Sequence, residues 1–100
     1  MSHWLPRVLS QVGSLATDRR VWFTLKARRE LAGLGLDEED ACDLLVALTA
    51  QDSVGRLKSS VTGDWMYVFK PTHGDQVLYL KLILRSDCVV ISFHEDLGES

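Results

Sequence analysis

The side chains best suited to chemistry in this sequence stand at alternate positions in two neighbouring runs. Tyr79, Lys81 and Arg85 fall on the odd positions of residues 76–85, and Ser92 and His94 follow a little further on. If both runs are strands, period-two alternation carries each set to one face, and pairing of the strands merges the two sets. Histidine, tyrosine, serine, lysine and arginine without a cluster of carboxylates make a poor site for a hard metal and a good one for anionic phosphate. Cleaving an RNA phosphodiester without metal needs a base for the 2′-hydroxyl proton, cations for the crowded phosphorane and an acid for the departing 5′-oxygen. Histidine is matched to proton transfer near neutral pH, and lysine and arginine supply charge. His94 is therefore the candidate acid or base, Lys81 and Arg85 are candidate phosphate contacts, and Lys58 or Arg56 is expected beside them. The alternative is a solvated strand face with an ordinary histidine at its end.

The elements that would carry these residues divide the chain near residue 55. Residues 76–85 alternate Leu78, Leu80, Leu82 and Leu84 with Val77, Tyr79, Lys81, Ile83 and Arg85, which predicts a long strand with a core side and a half-polar side. Residues 88–94 alternate Val89, Ile91 and Phe93 with Cys88, Val90, Ser92 and His94, and the connection Ser86-Asp87 makes the pair an antiparallel hairpin. Residues 65–70 predict a further strand, closed by Pro71 and the turn formers Thr72-His73-Gly74-Asp75, and residues 56–61 predict another.

Upstream, helical spacing replaces alternation. Leu9, Val12, Leu15 and Ala16 predict a helix, residues 20–24 an extended piece, and residues 25–34 a second helix with Thr24 as its N-cap. Glycines at 33 and 35 end it, and Asp37 opens a third helix whose stripe is Ala41, Leu44, Leu45 and Leu48. Glu38, Glu39 and Asp40 suit the first turn of that helix, where the dipole favours negative charge, better than they suit a metal. Helices followed by strands predict an α+β fold, with N-terminal helices packed on a C-terminal antiparallel sheet.

Composition bounds the rest. One hundred residues, 46% hydrophobic and 25% charged, predict a single soluble domain over residues 1–100, with 1–8 and 97–100 flexible. The run Leu44–Leu48 falls far short of the roughly 18 apolar residues of a membrane span. The first residues contain Trp4-Leu5-Pro6-Arg7 and no continuous apolar stretch, so a cytoplasmic protein without membrane contact is expected. Cys42 and Cys88 stand alone, which predicts reduced packing residues and neither a disulfide nor a zinc site. The net charge of −3 is segregated: residues 1–34 and 56–86 are basic, and 35–55 and 87–100 acidic. A phosphate-facing surface must therefore be assembled locally. Trp4, Trp22 and Trp65 could stack nucleobases, although a core this small is expected to absorb at least two of them. His73 is expected in an exposed turn and His3 in the terminus.

Five blocks carry a resemblance. Leu9-Ser10-Gln11-Val12, residues 30–37 (ELAGLGLD), Trp65-Met66-Tyr67-Val68-Phe69-Lys70-Pro71, Leu78-Tyr79-Leu80-Lys81 and residues 90–96 (VISFHED) run in order across nearly the whole chain and resemble the MqsR family of bacterial toxins. The resemblance implies a RelE-like fold and a ribosome-independent, metal-independent endoribonuclease, an RNA interferase that cuts mRNA at short sequences, often GCU-like triplets, and stops translation and growth. It implies no cofactor. It also implies a cognate antitoxin with zinc-binding and DNA-binding domains, so that DNA is reached only through that partner, and docking at a sheet edge, for which the strand ending at His94 is a candidate.

Residue by residue, the family's catalytic tyrosine falls on Tyr79, and its lysine after Ser-Phe falls on His94, a titrating group where the family has a point charge. The family's Trp-Gln-Asp-Val-Tyr-Arg-Pro appears with Met66 for the glutamine, losing its hydrogen bonds, and with Lys70 for the arginine. The family's remaining catalytic lysine corresponds to Lys58 or to Arg56. The implied substrate contacts are Lys81, Arg85, Met66, Lys70 and Ser92. Two other readings stay open: a non-catalytic protein of the same fold that binds antitoxin or RNA, and cleavage that depends on the ribosome.

Overall fold

The computed structural model describes residues 3–98; the expectations for residues 1, 2, 99 and 100 lie outside the described residues. The chain runs α1 (Leu5–Thr17), β1 (Val21–Phe23), α2 (Leu25–Gly33), α3 (Glu38–Val46), a 3-10 turn (Ala50–Asp52), β2 (Ser53–Lys58), β3 (Trp65–Phe69), β4 (Thr72–His73), β5 (Gln76–Leu84) and β6 (Cys88–Glu95). Local chemistry explains most of the boundaries. The Thr24 side chain accepts a hydrogen bond from Ala27 N–H at 3.1 Å and starts α2. Asp37 and Asp40 form a reciprocal capping box at the start of α3, with Glu38, Glu39 and Asp40 in its first turn. Gly35, at φ 74°, supplies the left-handed turn between those helices.

Helix α1 begins four residues before the first periodic leucine, because Leu5 and Val8 join Val12, Leu15 and Ala16 in the core. Residues 5–8 are thus a packed helical turn and not the loose segment the composition suggested. Strand β2 also starts earlier than expected, at Ser53, and ends at Lys58.

The sheet order is β1-β6-β5-β3-β2, with β4 pairing β5 off that path. The pairs β6–β5, β5–β3 and β3–β2 are antiparallel, but β1 pairs parallel to β6 through Val21–Cys88, Trp22–Val89 and Phe23–Val90. The sheet is therefore mixed, and β6 is interior. Beyond Val90 its outer side is covered by α2: Thr24 Oγ1 donates to Ile91 O at 3.4 Å, and Phe93 N–H donates to Glu30 Oε1 at 2.9 Å. The expectation that the strand carrying His94 forms an edge is corrected by this double cover. One face of the sheet packs the helices, with Phe69, Leu78, Leu80, Leu82, Val90 and Phe93 buried against α1, α2 and α3. The other face is open, and it carries the candidate site.

Two bulges decide which residues reach that face. Lys81 pairs Ser92 but Leu82 pairs Val90, so Ile91 is an extra residue. Simple alternation put Cys88 and Val90 on the face of Ser92 and His94. The bulge reverses the strand, so that Cys88, Val90 and Phe93 face the core while Ser92 and His94 face away. A second bulge lies between Ser53, which pairs Phe69, and Gly55, which pairs Val68.

Candidate active site

Tyr79 and His94 are direct partners across β5 and β6, and their rings stack with centroids 5.1 Å apart and planes 12° from parallel. His94 Nδ1 lies 2.9 Å from the carbonyl oxygen of Glu95. A carbonyl only accepts, so that bond requires the proton on Nδ1 and leaves Nε2 with the free lone pair of the neutral ring. One step along the sheet, Lys81 pairs Val68 on one side and Ser92 on the other. Lys81 is partly buried and has no ion-pair partner among the described residues. It is an uncompensated cation one row from the stacked pair.

Ser92 differs from expectation. It is 4% exposed, and Lys26 Nζ of α2 donates to its hydroxyl at 3.1 Å. It is a buried polar contact instead of an open one. Lys26 also pairs Glu30 at 2.8 Å, and Glu30 in turn accepts from Phe93 N–H. Burial opposes ionisation of Glu30, but the bonds from Lys26 and Phe93 outweigh it and hold its carboxyl below the usual range. Lys26 is the functional candidate that sequence reasoning missed. Its spacing of four from Glu30 reads as a surface helix pair, and only the tertiary fold brings it over β6.

Lys70 follows β3, lies 3.3 Å from Asp96, and borders a shallow depression of about 250 Å³ together with Gly55, Arg56, Leu57, Val68 and Tyr79. Met66 pairs Leu57 on the same open face and offers it only apolar surface.

The remaining cations lie elsewhere. Arg56 pairs Tyr67 and Lys58 pairs Trp65, both on the helix side of the sheet. The Arg56 guanidinium sits 3.8 Å from the ring centre of Trp65 and 5.0 Å from that of Trp4, and Lys58 Nζ lies 5.0 Å from Trp65. Counting in twos from the core-facing Ser53 would send Arg56 and Lys58 to the open face. The bulge at Val54-Gly55 inverts the count, so neither points into the row of Tyr79 and His94, and Arg56 reaches only the rim of the Tyr79 depression. Gly55, which points to the open face, has φ 134°, a backbone suited to glycine. Arg85 is likewise displaced. It follows the end of β5, roughly 20 Å along the strand from Tyr79 at about 3.3 Å per residue, and its guanidinium binds Asp64 at 2.6 Å. That bond holds the Asp64 carboxyl below the usual range.

His73 is exposed in β4 and His3 is exposed near the start of the chain. Trp4 packs on Tyr67 at 5.4 Å, Trp65 lies beneath Arg56, and Trp22 is 62% exposed. Cys42 and Cys88 are both unpaired and buried, and burial pushes the Cys88 thiol up to about 12. Among the described residues no group of histidine, cysteine and carboxylate side chains is arranged to hold a metal, and no helix is long and apolar enough to cross a membrane.

The family described as motility quorum-sensing regulator, toxin of MqsA, matches residues 6–95, from the second residue of α1 to the last of β6. The chain belongs to the MqsR toxin family. A curated relative, the mRNA interferase toxin MqsR of Escherichia coli strain K12, is 31% identical over 91 residues, covering 87% of this chain and 90% of that protein. The match to the MqsR family includes Tyr79, Lys81 and His94 and excludes only the ends of the chain.

Proposed function

We propose that this toxin is an endoribonuclease that cuts mRNA at short sequences by attack of the 2′-hydroxyl, without a metal, and thereby inhibits translation and growth. The observation that carries this reading is the stacked Tyr79–His94 pair beside the unpaired Lys81. Neutral His94, with Nδ1–H bound to Glu95 O, takes the 2′-hydroxyl proton on Nε2. The 2′-oxygen attacks phosphorus, Lys81 stabilises the charge on the phosphorane, and the bond to the 5′-oxygen breaks as that oxygen receives the proton. The Tyr79 hydroxyl orients the phosphate, and Lys70 and Lys26 hold the neighbouring backbone. The products are a 2′,3′-cyclic phosphate and a 5′-hydroxyl.

The partner expected to silence this activity is an antitoxin with zinc-binding and DNA-binding domains. Edge strand β2 is the dock we favour: Val54 is 57% exposed, and beside it Leu5, Pro6 and Leu9 line an apolar groove of about 660 Å³. A second reading, binding of RNA or antitoxin without cutting, is favoured by Met66 and by the pairing of Arg56 and Lys58 with the helix-side Tyr67 and Trp65.

The deciding experiment is incubation of purified protein with ribosome-free mRNA in excess chelator. Cleavage to cyclic-phosphate ends is expected. RNA left intact there, but cut once ribosomes or divalent cations are added, would overturn the mechanism.

A further inference from the structure

A row of apolar side chains crosses the open face next to the candidate site. Trp22 of β1 pairs Val89 of β6, Val89 pairs Ile83 of β5, and Leu57 of β2 pairs Met66 of β3. Met66 reaches Ile83 by continuing the register that sets Tyr67 against Leu82. The row ends at Trp22, and the way that indole is held is unusual for an exposed residue. Its Nε1–H donates to Asp87 Oδ2 at 3.0 Å, Asp87 Oδ1 accepts from Arg20 Nε at 2.9 Å, and Arg20 Nη2 donates to Ser86 O at 2.7 Å. The edge of the ring is thus pinned to the β5–β6 turn by a charge-assisted network. Its face, 62% of the residue being exposed, has no other ring or cation stacked on it among the described residues.

The neighbouring row is different in kind. It holds two cations, Lys81 and, over Ser92, Lys26 of α2, which also pairs Glu30, with Val68 at the far end; Tyr79 and His94 form the row after it. A row bearing Lys26 and the uncompensated Lys81, parallel to a row of flat and aliphatic surface, matches a ligand with phosphates along one side and rings along the other. A single-stranded nucleic acid has that form. A protein partner would gain from the apolar row but has no need of the uncompensated Lys81 beside it.

We infer that Trp22 is a stacking platform for a nucleobase of the RNA strand flanking the scissile bond, a proposal that rests on the ribonuclease reading. Trp22 pairs Val89, which faces Ile83, and His94 faces Tyr79 four residues away on the unbulged β5, roughly 13 Å at about 3.3 Å per residue. The base on Trp22 is therefore removed from the one that is cut. Trp22 would set how much flanking single strand the toxin needs and bias which base is accepted there.

The test measures affinity of the full chain for a labelled 2′-O-methyl oligoribonucleotide, which cannot be cut through its 2′-oxygen. Loss of base stacking in Trp22→Ala should raise Kd roughly 5- to 100-fold, while Trp22→Phe, which keeps an aromatic face, should stay within a few-fold. An abasic position moved along the oligonucleotide should reproduce the loss at one place in wild type and add nothing to Trp22→Ala. Thermal unfolding of both variants checks that the fold persists. RNA binding that is unchanged in Trp22→Ala would overturn the platform and leave the ribonuclease reading standing. If wild type binds no RNA, the reading beneath it fails instead. Should Trp22→Ala weaken antitoxin binding and not RNA binding, the row belongs to a protein partner and the inference is overturned.

Discussion

Tyr79 and His94 share a register position and a stacking interface, so the two groups proposed for chemistry hold each other in place. Replacing one therefore disturbs the other. His94→Ala should lower the single-turnover cleavage rate by roughly 10²- to 10⁴-fold, the usual contribution of a positioned acid or base. Tyr79→Phe keeps the stack and removes only the hydroxyl, whereas Tyr79→Ala removes both and should cost more. The double variant should lose less than the product of the single losses, because the sites are coupled. A His94→Ala loss of under fivefold would take this residue out of the mechanism.

The cations divide by face, and the division predicts two different phenotypes. Lys81→Glu should weaken RNA binding and cleavage together and make the salt dependence shallower by about 0.7 in the log–log slope, one phosphate contact on a single strand. Arg56→Ala should instead cost up to about 1 kcal/mol of stability through the lost Trp65 and Trp4 contacts, with little change in cleavage rate. Denaturant unfolding and cleavage measured on the same two proteins separate these effects. An Arg56→Ala enzyme that is stable but inactive would restore Arg56 to the site.

That division also shows how far the sequence could be read. The leucines at 78, 80 and 82 mark a core face without ambiguity, and the short Ser86-Asp87 link makes the hairpin legible. Thr24 and Asp37 announce their helices through side chains that satisfy backbone donors. The site was harder to read, because each bulge inserts one residue and period two turns that insertion into a change of face. Ile91 and Val54 have no composition that marks them as extra, although the glycine after Val54 is a trace of the second bulge. The parallel pairing of β1 and the descent of Lys26 onto Ser92 are tertiary facts, set by where α2 lands. Neither has a local signature.

Glu30 links acid stability to the site. Its carboxyl is held below its ordinary value of 4.5 despite burial, because Lys26 and Phe93 N–H stabilise the charged form. A carboxylate whose pKa falls on folding contributes stability that is present above its unfolded value and lost as pH drops through its folded one. Glu30→Gln should therefore be less stable than wild type at neutral pH, with the deficit shrinking below about pH 4.5. Urea unfolding followed from neutral pH downward measures this. A deficit that does not change with pH would mean that packing, not charge, is what Glu30 supplies.

The antitoxin dock proposed at β2 lies across the sheet from Trp22 and on a different element from Tyr79 and His94. Binding along an edge depends on backbone pairing and on the apolar side chains beside it, so a charge placed there should be costly. Leu9→Glu is expected to weaken antitoxin binding more than tenfold, about 1.4 kcal/mol, while RNA cleavage by the free toxin stays near wild type. Tyr79→Phe should do the reverse, losing cleavage and keeping the antitoxin. Inhibition would then arise because the bound antitoxin obstructs the path of the RNA strand and leaves the stacked pair uncovered. Calorimetric antitoxin titration and cleavage assays on the same preparations test this. If Tyr79→Phe weakens the antitoxin by more than tenfold, the antitoxin sits on the open face itself, and a single surface serves both ligands.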